Sequence, residues 1–251
     1  MTDTASVSEP ASQHTIAGTV LTMPVRIRKA DNHVALFSVS SAAAQKMIDY
    51  SGLQVFEYRP GRAVTMLMLV RYIDGDLGEY HEFGTAVMVN PLGGGAPKTG
   101  LRGFGDAAAF IHHLPVNQSF TLEAGRTIWG FPKILADFTV RENPGFDFEV
   151  SEGGRLIAGM EFSAGLPIPG ALTSKPQMMT QYSHLDGITR EIHSEMRNSG
   201  MRARIGGVRL RLGTHPYADE LRSLGLPKRA FASQSSANVE MTFGDANEIT
   251  E

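Results

Sequence analysis

Lys133 is the residue whose setting in the sequence most suggests chemistry, because it follows a short segment of restricted backbone. Gly130 permits backbone angles that other residues avoid, and Pro132 fixes its own φ and pushes Phe131 into an extended conformation. Trp129 and Phe131 flank the segment with aromatic rings. The lysine is then either a surface residue whose stem lies along these rings or a partly buried amine, which could act as a nucleophile. The pattern by itself favours the surface interpretation.

The elements that must position this lysine are mainly strands. Apolar or alternating runs predict strands at residues 33–40, 64–72, 79–90, 134–140, 208–213 and 238–243. A hairpin is predicted around Gly153-Gly154, and short helices are predicted over 41–52, after a cap at Ser41, and over 217–225, after His215-Pro216. Few helices and no regular strand–helix alternation predict an α+β fold that is mainly antiparallel β.

Composition excludes several classes of protein. The chain has 251 residues, of which 42% are hydrophobic and 20% charged, so we expect a soluble globular protein. We predict a disordered tail over residues 1–18 and a single domain over residues 19–251. A net charge of −3 argues against binding to nucleic acid or anionic lipid. No apolar run is long enough for a membrane span and no signal peptide is evident, which predicts a cytoplasmic protein.

The sequence predicts no cofactor. Zero cysteines exclude disulfides and thiolate metal sites. His112 and His113 are adjacent, which on a strand would point them to opposite faces, so no metal site is predicted. The glycine-rich run over residues 93–100 has Pro97 before Lys98, where a phosphate-binding loop needs glycine, and it is interpreted as a flexible loop.

Three segments together resemble the acetoacetate decarboxylase family. Residues 125–133 read G-R-T-I-W-G-F-P-K, which is similar to the family signature in which the lysine after proline forms a Schiff base with a keto acid. Residues 79–86, E-Y-H-E-F-G-T-A, resemble the family's Tyr-x-Glu strand, and residues 210–231 resemble its late strand, helix and Leu-Pro turn. The resemblance covers roughly residues 20–245 and implies a closed, mostly antiparallel β-cone with a few short helices.

The resemblance also implies roles for individual residues. Lys133 would be the Schiff-base nucleophile, and Glu82 would orient substrate or shuttle protons. Phe131 and Met88 are expected to be pocket walls, Met88 because it shares a strand face with Glu82. Arg28 is the candidate for the arginine that the family supplies near its N-terminus.

One departure from the family pattern bears on how the amine is activated. The family often has a second lysine after the catalytic one, where this chain has Ile134, so we expect burial in apolar surroundings to favour the neutral amine instead.

The function implied by the resemblance is that of a cofactor-independent Schiff-base enzyme acting on a small keto acid. Decarboxylation of a β-keto acid resembling acetoacetate is the leading hypothesis. A Schiff-base aldolase or dehydratase on a keto acid is one alternative, and a non-catalytic protein that binds a small ligand is another. The resemblance implies a homo-oligomer as well.

Overall fold

The computed structural model of the chain describes residues 11–93, 99–100, 103–142, 145–173 and 175–249, and within them strands predominate. The strands are β1 (Gln13–Ile16), β2 (Thr19–Thr22), β3 (Val25–Ser40), β4 (Arg62–Gly75), β5 (Tyr80–Val89), β6 (Ala108–His113), β7 (Asp137–Arg141), β8 (Phe146–Glu152), β9 (Arg155–Phe162), β10 (Leu166–Pro167), β11 (Gln177–Leu185), β12 (Ile188–Ile205), β13 (Val208–Leu212) and β14 (Ala232–Glu248). The α-helices of the described residues are α1 (Ser41–Ile48), α2 (Ser119–Trp129) and α3 (Pro216–Ser223).

Seven of these strands close into a barrel. Their order is β12-β11-β6-β5-β4-β3-β14, and β14 pairs with β12 to complete the circle. All of the pairings are antiparallel except that between β11 and β6. Because a closed barrel has no free edge along these strands, it encloses an interior that their alternate side chains fill.

A second sheet of four strands, in the order β13-β9-β8-β7, covers one outer face of the barrel. Both faces of the covered barrel strands are therefore buried. On β4, Met68 and Val70 face the interior, while Leu67 and Leu69 pack toward the second sheet. This double burial explains why β4 reads as a continuous apolar run instead of an alternating one.

Most of the predicted elements are confirmed, including the mainly antiparallel β-rich α+β class and the closed, barrel-like sheet. The hairpin at Gly153-Gly154 joins β8 to β9, and His215 caps helix α3 by accepting a hydrogen bond from the Tyr217 N–H. The N-cap of helix α1 is Ser40, one residue before the predicted cap Ser41, which is the first residue of the helix. No helix among the described residues is long and apolar enough to cross a membrane.

Two predicted boundaries are wrong. The tail predicted over residues 1–18 is contradicted at residues 13–18, because β1 and β2 form a hairpin there whose Ile16 and Leu21 join the interior core. The strand predicted at residues 134–140 begins only at Asp137, and helix α2 precedes the Lys133 segment without having been predicted. Residues 1–10 of the tail and residues 94–98 of the glycine-rich run lie outside the described residues.

Candidate active site

Lys133 and Glu82 meet inside the barrel. Lys133 Nζ lies 2.7 Å from Glu82 Oε2, and the side chains are 3% and 9% exposed. The surface interpretation of Lys133 is therefore wrong, because the segment after helix α2 turns inward.

Residues 115–116 lie between the Glu82 strand and the Lys133 segment and connect the two. Val116 forms a bridge to Glu82 on one side and to Leu135 on the other. The Val116 N–H donates to the carbonyl oxygen of Ile134 at 2.9 Å, and the Phe83 N–H donates to that of Pro115 at 2.9 Å. The Lys133 segment is thus attached by backbone hydrogen bonds to the strand that carries Glu82, although about fifty positions separate them in the sequence.

The end of helix α2 sets the direction of the Lys133 segment. Gly130 ends the helix with φ of 61°, a left-handed conformation that glycine adopts without strain. The Phe131 N–H donates to the carbonyl oxygen of Gly125 at 3.0 Å, and Arg126 Nη1 donates to that of Lys133 at 3.3 Å. These bonds fix the backbone on both sides of Pro132, which itself has no N–H to donate.

Two tyrosines hold the carboxylate and flank the amine. The Tyr72 hydroxyl donates to Glu82 Oε1 at 2.8 Å. Burial, reinforced by the negative charge of Glu82, raises the pKa of Tyr72 well above its ordinary value, so this tyrosine stays a donor at physiological pH. The Tyr80 ring stacks on that of Tyr72 with centroids 4.0 Å apart, and Lys133 Nζ lies 5.2 Å from the centre of the Tyr80 ring. Each oxygen of Glu82 therefore has its own partner.

A cavity of about 120 Å³ opens beside the pair. Its lining is mostly apolar and includes Trp129, the single tryptophan of the chain, and Phe131. The polar or charged lining residues are Asn32, Tyr72, Tyr80, Glu82, Lys133, Gln181 and Ser194. Lys133 and Glu82 are the only charged residues among them, so the described wall carries no second cation.

Two predicted pocket residues lie elsewhere. Arg28 is on the outside of the barrel, with a side chain 51% exposed and paired with Asp74 and Asp76 at 2.7 and 2.6 Å. Ile27, its neighbour, points into the cavity instead, because successive side chains of a strand alternate. Met88 does lie on the same strand face as Glu82, but six residues further along, about 20 Å away. It packs there with Phe56 and Val64 in a separate cluster.

The prediction that His112 and His113 point to opposite faces is wrong. Thr85 pairs with His113 and Ala86 pairs with Ile111, so His112 is an extra residue in a β-bulge. The bulge turns both imidazoles to the same side. His112 Nε2 and His113 Nε2 lie 2.7 and 2.8 Å from Glu220 Oε2, and these contacts fasten helix α3 to β6.

The bonds to the two histidines hold the pKa of Glu220 well below its usual range. In the part of the chain that the structure describes, His112, His113 and Glu220 are the one group whose ligand atoms, within 4.8 Å of one another, could hold a metal ion.

Several residues of the site were not predicted. Gly125 lies against the Lys133 stem, Tyr72 binds Glu82, and Asn32 lines the cavity. For Tyr72 a signal existed, since it stands near the end of the predicted strand that pairs with the Glu82 strand. Gly125 and Asn32 had no local signal, because the role of Gly125 depends on how the chain turns back after helix α2, and that of Asn32 depends on which face of β3 lines the cavity.

Comparison with known proteins identifies relatives of this fold. A family model described as acetoacetate decarboxylase matches residues 10–247, whereas no curated protein matches the chain by sequence. Among similar solved structures is the acetoacetate decarboxylase from Legionella pneumophila subsp. pneumophila str. Philadelphia 1, at a TM-score of 0.66 and 17% identity, covering 98% of this chain and 93% of that one.

Two further structures extend the comparison. The enduracididine biosynthesis enzyme MppR complexed with pyruvate has a TM-score of 0.59 at 17% identity, covering 92% of each chain. An acetoacetate decarboxylase-like enzyme from Sphingomonas wittichii RW1 has a TM-score of 0.58 at 15% identity, covering 96% of this chain and all (100%) of that one. At these identities the similarity to solved structures is one of fold.

Proposed function

Because this chain belongs to the acetoacetate decarboxylase family, we propose that it is a Schiff-base enzyme that acts on a small keto acid, with Lys133 as the nucleophile. The observation that supports this most directly is the buried contact of 2.7 Å between Lys133 and Glu82 at the wall of a largely apolar cavity. A lysine amine that lines a cavity can attack the carbonyl carbon of a bound ligand, and Glu82 is close enough to exchange a proton with it.

The proposed reaction is the decarboxylation of a β-keto acid. The neutral amine of Lys133 adds to the keto carbon, and loss of water leaves an iminium ion. The bond between the α-carbon and the carboxylate then breaks, carbon dioxide leaves, and the electron pair moves to the iminium nitrogen to give an enamine. A proton adds to the α-carbon, and water hydrolyses the resulting iminium to release the ketone and restore the amine. One proton is consumed for each carbon dioxide released.

Glu82 would stabilise the positive charge that forms during the reaction and would exchange protons with Lys133. Its carboxylate lies close enough to stabilise the cationic iminium and to exchange the proton that Lys133 gives up. The apolar wall would favour the loss of carbon dioxide, because that step removes an anion from surroundings that solvate it poorly.

An aldolase or dehydratase of the same Schiff-base type is the second candidate. It uses the same buried pair of Lys133 and Glu82, because an α-keto acid can form the same kind of iminium ion and enamine on the lysine. The same enamine can add to an aldehyde instead of taking up a proton. One of the similar structures, MppR, is described as complexed with the condensation product of pyruvate and imidazole 4-carboxaldehyde.

Borohydride trapping tests the proposal. The protein is incubated with acetoacetate, pyruvate and small keto aldehydes, reduced, and digested, and the masses of the lysine peptides are measured. We expect an adduct on Lys133 that is lost in Lys133→Met and kept in Lys46→Met, which changes an exposed lysine of helix α1.

The mass of the adduct separates the candidates. An acetone-sized adduct from acetoacetate indicates decarboxylation, and an adduct with pyruvate-like compounds alone indicates the aldolase or dehydratase. If no carbonyl compound labels Lys133 above the level of Lys46, the Schiff-base proposal is wrong and the non-catalytic ligand-binding alternative is favoured.

A further inference from the structure

The cavity wall carries one buried polar group that no described residue satisfies. Asn32 on β3 is 8% exposed and lines the cavity, and its Oδ1 has no hydrogen-bond partner among the described residues. The other amide in the wall differs, because Gln181 Nε2 donates to Ser194 Oγ at 3.0 Å. A buried acceptor without a donor is unfavourable, so Asn32 favours a ligand that donates a hydrogen bond to it.

The neighbours of Asn32 do not meet this need. Ser236 on β14 pairs directly with Asn32, and its Oγ is buried and also lacks a partner in the described structure. Asn198 on β12 pairs with Val239 of the interior core, and its Oδ1 is likewise buried without a hydrogen-bond partner among the described residues. Asn32 is the member of this group that reaches the cavity.

Strand register fixes where Asn32 stands relative to the amine. Asn32 pairs with Val70 on β4, and Val70 pairs with Glu82 on β5. Directly paired residues share a face, so all three point into the interior at one level of the barrel. Neighbouring strands lie about 4.8 Å apart, which puts the backbones of Asn32 and Glu82 about 10 Å apart along the wall. A ligand bound at Lys133 with a chain of a few atoms therefore extends toward Asn32.

The cavity wall between Lys133 and Asn32 disfavours a charged group at the Asn32 end of a ligand. Lys133 and Glu82 are paired with each other, and no other charged residue lines the described wall, so an anion at the Asn32 end of the ligand would be buried without a cation beside it. The remaining surface is mostly apolar and contains flexible thioethers, which adapt to chains of different shape. The methionines that line the cavity are Met66, Met68, Met179, Met196 and Met241.

We propose that Asn32 forms a second binding subsite, which accepts a hydrogen bond from a neutral hydroxyl or amide N–H at the far end of the carbonyl substrate. The substrate is then a carbonyl compound with an apolar chain and a neutral hydrogen-bond donor at its end, and it carries no carboxylate there. This inference rests on the proposed reaction of Lys133 for the orientation of the ligand.

Three matched ligands test the subsite. Hydroxypropyl methyl ketone carries a terminal hydroxyl, butyl methyl ketone replaces it by a methyl group, and levulinate ends in a carboxylate. Binding is followed by the fluorescence of Trp129, which is the single tryptophan and lines the cavity, so this measurement needs no chemical step. Borohydride trapping at Lys133 is measured in parallel. We expect the hydroxyl ketone to bind roughly 3- to 10-fold more tightly than the methyl ketone, and levulinate to bind least tightly.

The decisive variant is Asn32→Leu, which keeps the approximate size of the side chain and removes the acceptor. We expect it to abolish the preference for the hydroxyl ketone while leaving the affinity for the methyl ketone within about twofold. Thr65→Val is the matched control, because Thr65 Oγ1 is also buried without a partner but lies outside the cavity wall. We expect this control to keep the preference. A thermal melt checks that each variant folds.

The outcomes separate the two proposals. A preference that persists in Asn32→Leu, or tighter binding of levulinate than of the hydroxyl ketone, overturns the subsite even if Lys133 is trapped. A preference that depends on Asn32 without any adduct on Lys133 supports the subsite and contradicts the Schiff-base chemistry.

Discussion

Gly125 and Lys133 lie in direct contact across the end of helix α2. A Cβ atom at position 125 would stand 2.5 Å from Cε and 2.6 Å from Cδ of Lys133. Carbon atoms do not approach so closely without displacement. Because Gly125 has no side chain, the methylene groups of Lys133 can pass against the helix backbone and place the amine beside Glu82.

Gly125→Ala is expected to displace the Lys133 amine. Alanine is favoured over glycine in a helix by about 1 kcal/mol, so propensity alone would stabilise this variant. Misplacement of a reacting group by about 1 Å can lower a rate roughly a hundredfold, and we expect a loss of that order in turnover and in borohydride trapping. Gly105→Ala is the control, since no atom lies within 4 Å of a Cβ there. An unchanged rate in folded Gly125→Ala would contradict the steric argument.

Tyr72→Phe is expected to lower both stability and activity. It removes the donor to Glu82 Oε1, and a hydrogen bond to a charged group contributes about 1.5–3 kcal/mol. Tyr182→Phe removes another tyrosine–glutamate bond, of 2.7 Å to Glu191, outside the cavity wall. We expect urea unfolding to show a lower free energy of unfolding in both variants, and we expect kcat to fall only in Tyr72→Phe. Equal kcat values would show that Tyr72 has no role in positioning Glu82.

Removing one member of the buried pair is expected to destabilise the protein more than removing both. Lys133→Met leaves Glu82 buried without its cation, for which we expect a loss of about 3–5 kcal/mol in the free energy of unfolding. Adding Glu82→Gln should recover part of this loss. For comparison, Arg141→Met breaks the more exposed pair with Asp147 and should change stability by about 1 kcal/mol or less. A double variant no more stable than Lys133→Met would contradict the pairing.

His33 is expected to make the protein less stable in mild acid. It stacks on Phe146 with ring centroids 3.4 Å apart, and burial, aided by the charge of Arg71, lowers its pKa from 6.5 to about 4. Between these two pH values, His33 is protonated in the unfolded chain but neutral in the folded protein. The contribution of His33 to the free energy of unfolding is therefore complete above about pH 6.5 and is lost as the pH decreases to about 4. The total loss from this group is about 3 kcal/mol at most, and it does not grow below pH 4.

Urea unfolding between pH 7 and pH 4 measures this effect. We expect a smaller decline of the free energy of unfolding with decreasing pH in His33→Gln than in the wild type. His193→Gln, which changes a histidine whose side chain is 53% exposed, is the control and should keep the wild-type decline. The same decline in all three proteins would show that His33 does not carry the pH dependence.

Local sequence predicted strands β3, β4 and β5 and helices α1 and α3, but not strands β6, β11 and β12 or helix α2. The apolar runs of β4 and β5 could be recognised from residue types, because both strands are buried on two faces. Helix α2 was missed because its middle contains Gly125, which disfavours a helix by about 1 kcal/mol. The helix is held by contacts that no local pattern contains, such as the hydrogen bond of 2.8 Å from Trp129 Nε1 to the carbonyl oxygen of Gly244.

The positions of side chains depended on register. Arg28 and Met88 were predicted to line the pocket, but alternation puts Arg28 outside the barrel, and distance along β5 separates Met88 from Glu82. His112 and His113 were predicted to diverge, but a single extra residue in β6 reverses the alternation and brings both to Glu220. A bulge is set by how two strands pair, so neither strand reveals it alone.

The sequence by itself determined the backbone around Lys133, because Gly130 and Pro132 restrict their own angles whatever surrounds them. It also determined which residues could form buried strands, since apolar content follows directly from residue type. Only the tertiary structure decided that Lys133 is buried and touches Glu82. That contact requires the bridge through Val116 and the closing of the barrel by β12 and β14, which join residues far apart in the chain. Burial and ion pairing depend on distances in space, and those distances exist only once the barrel has closed.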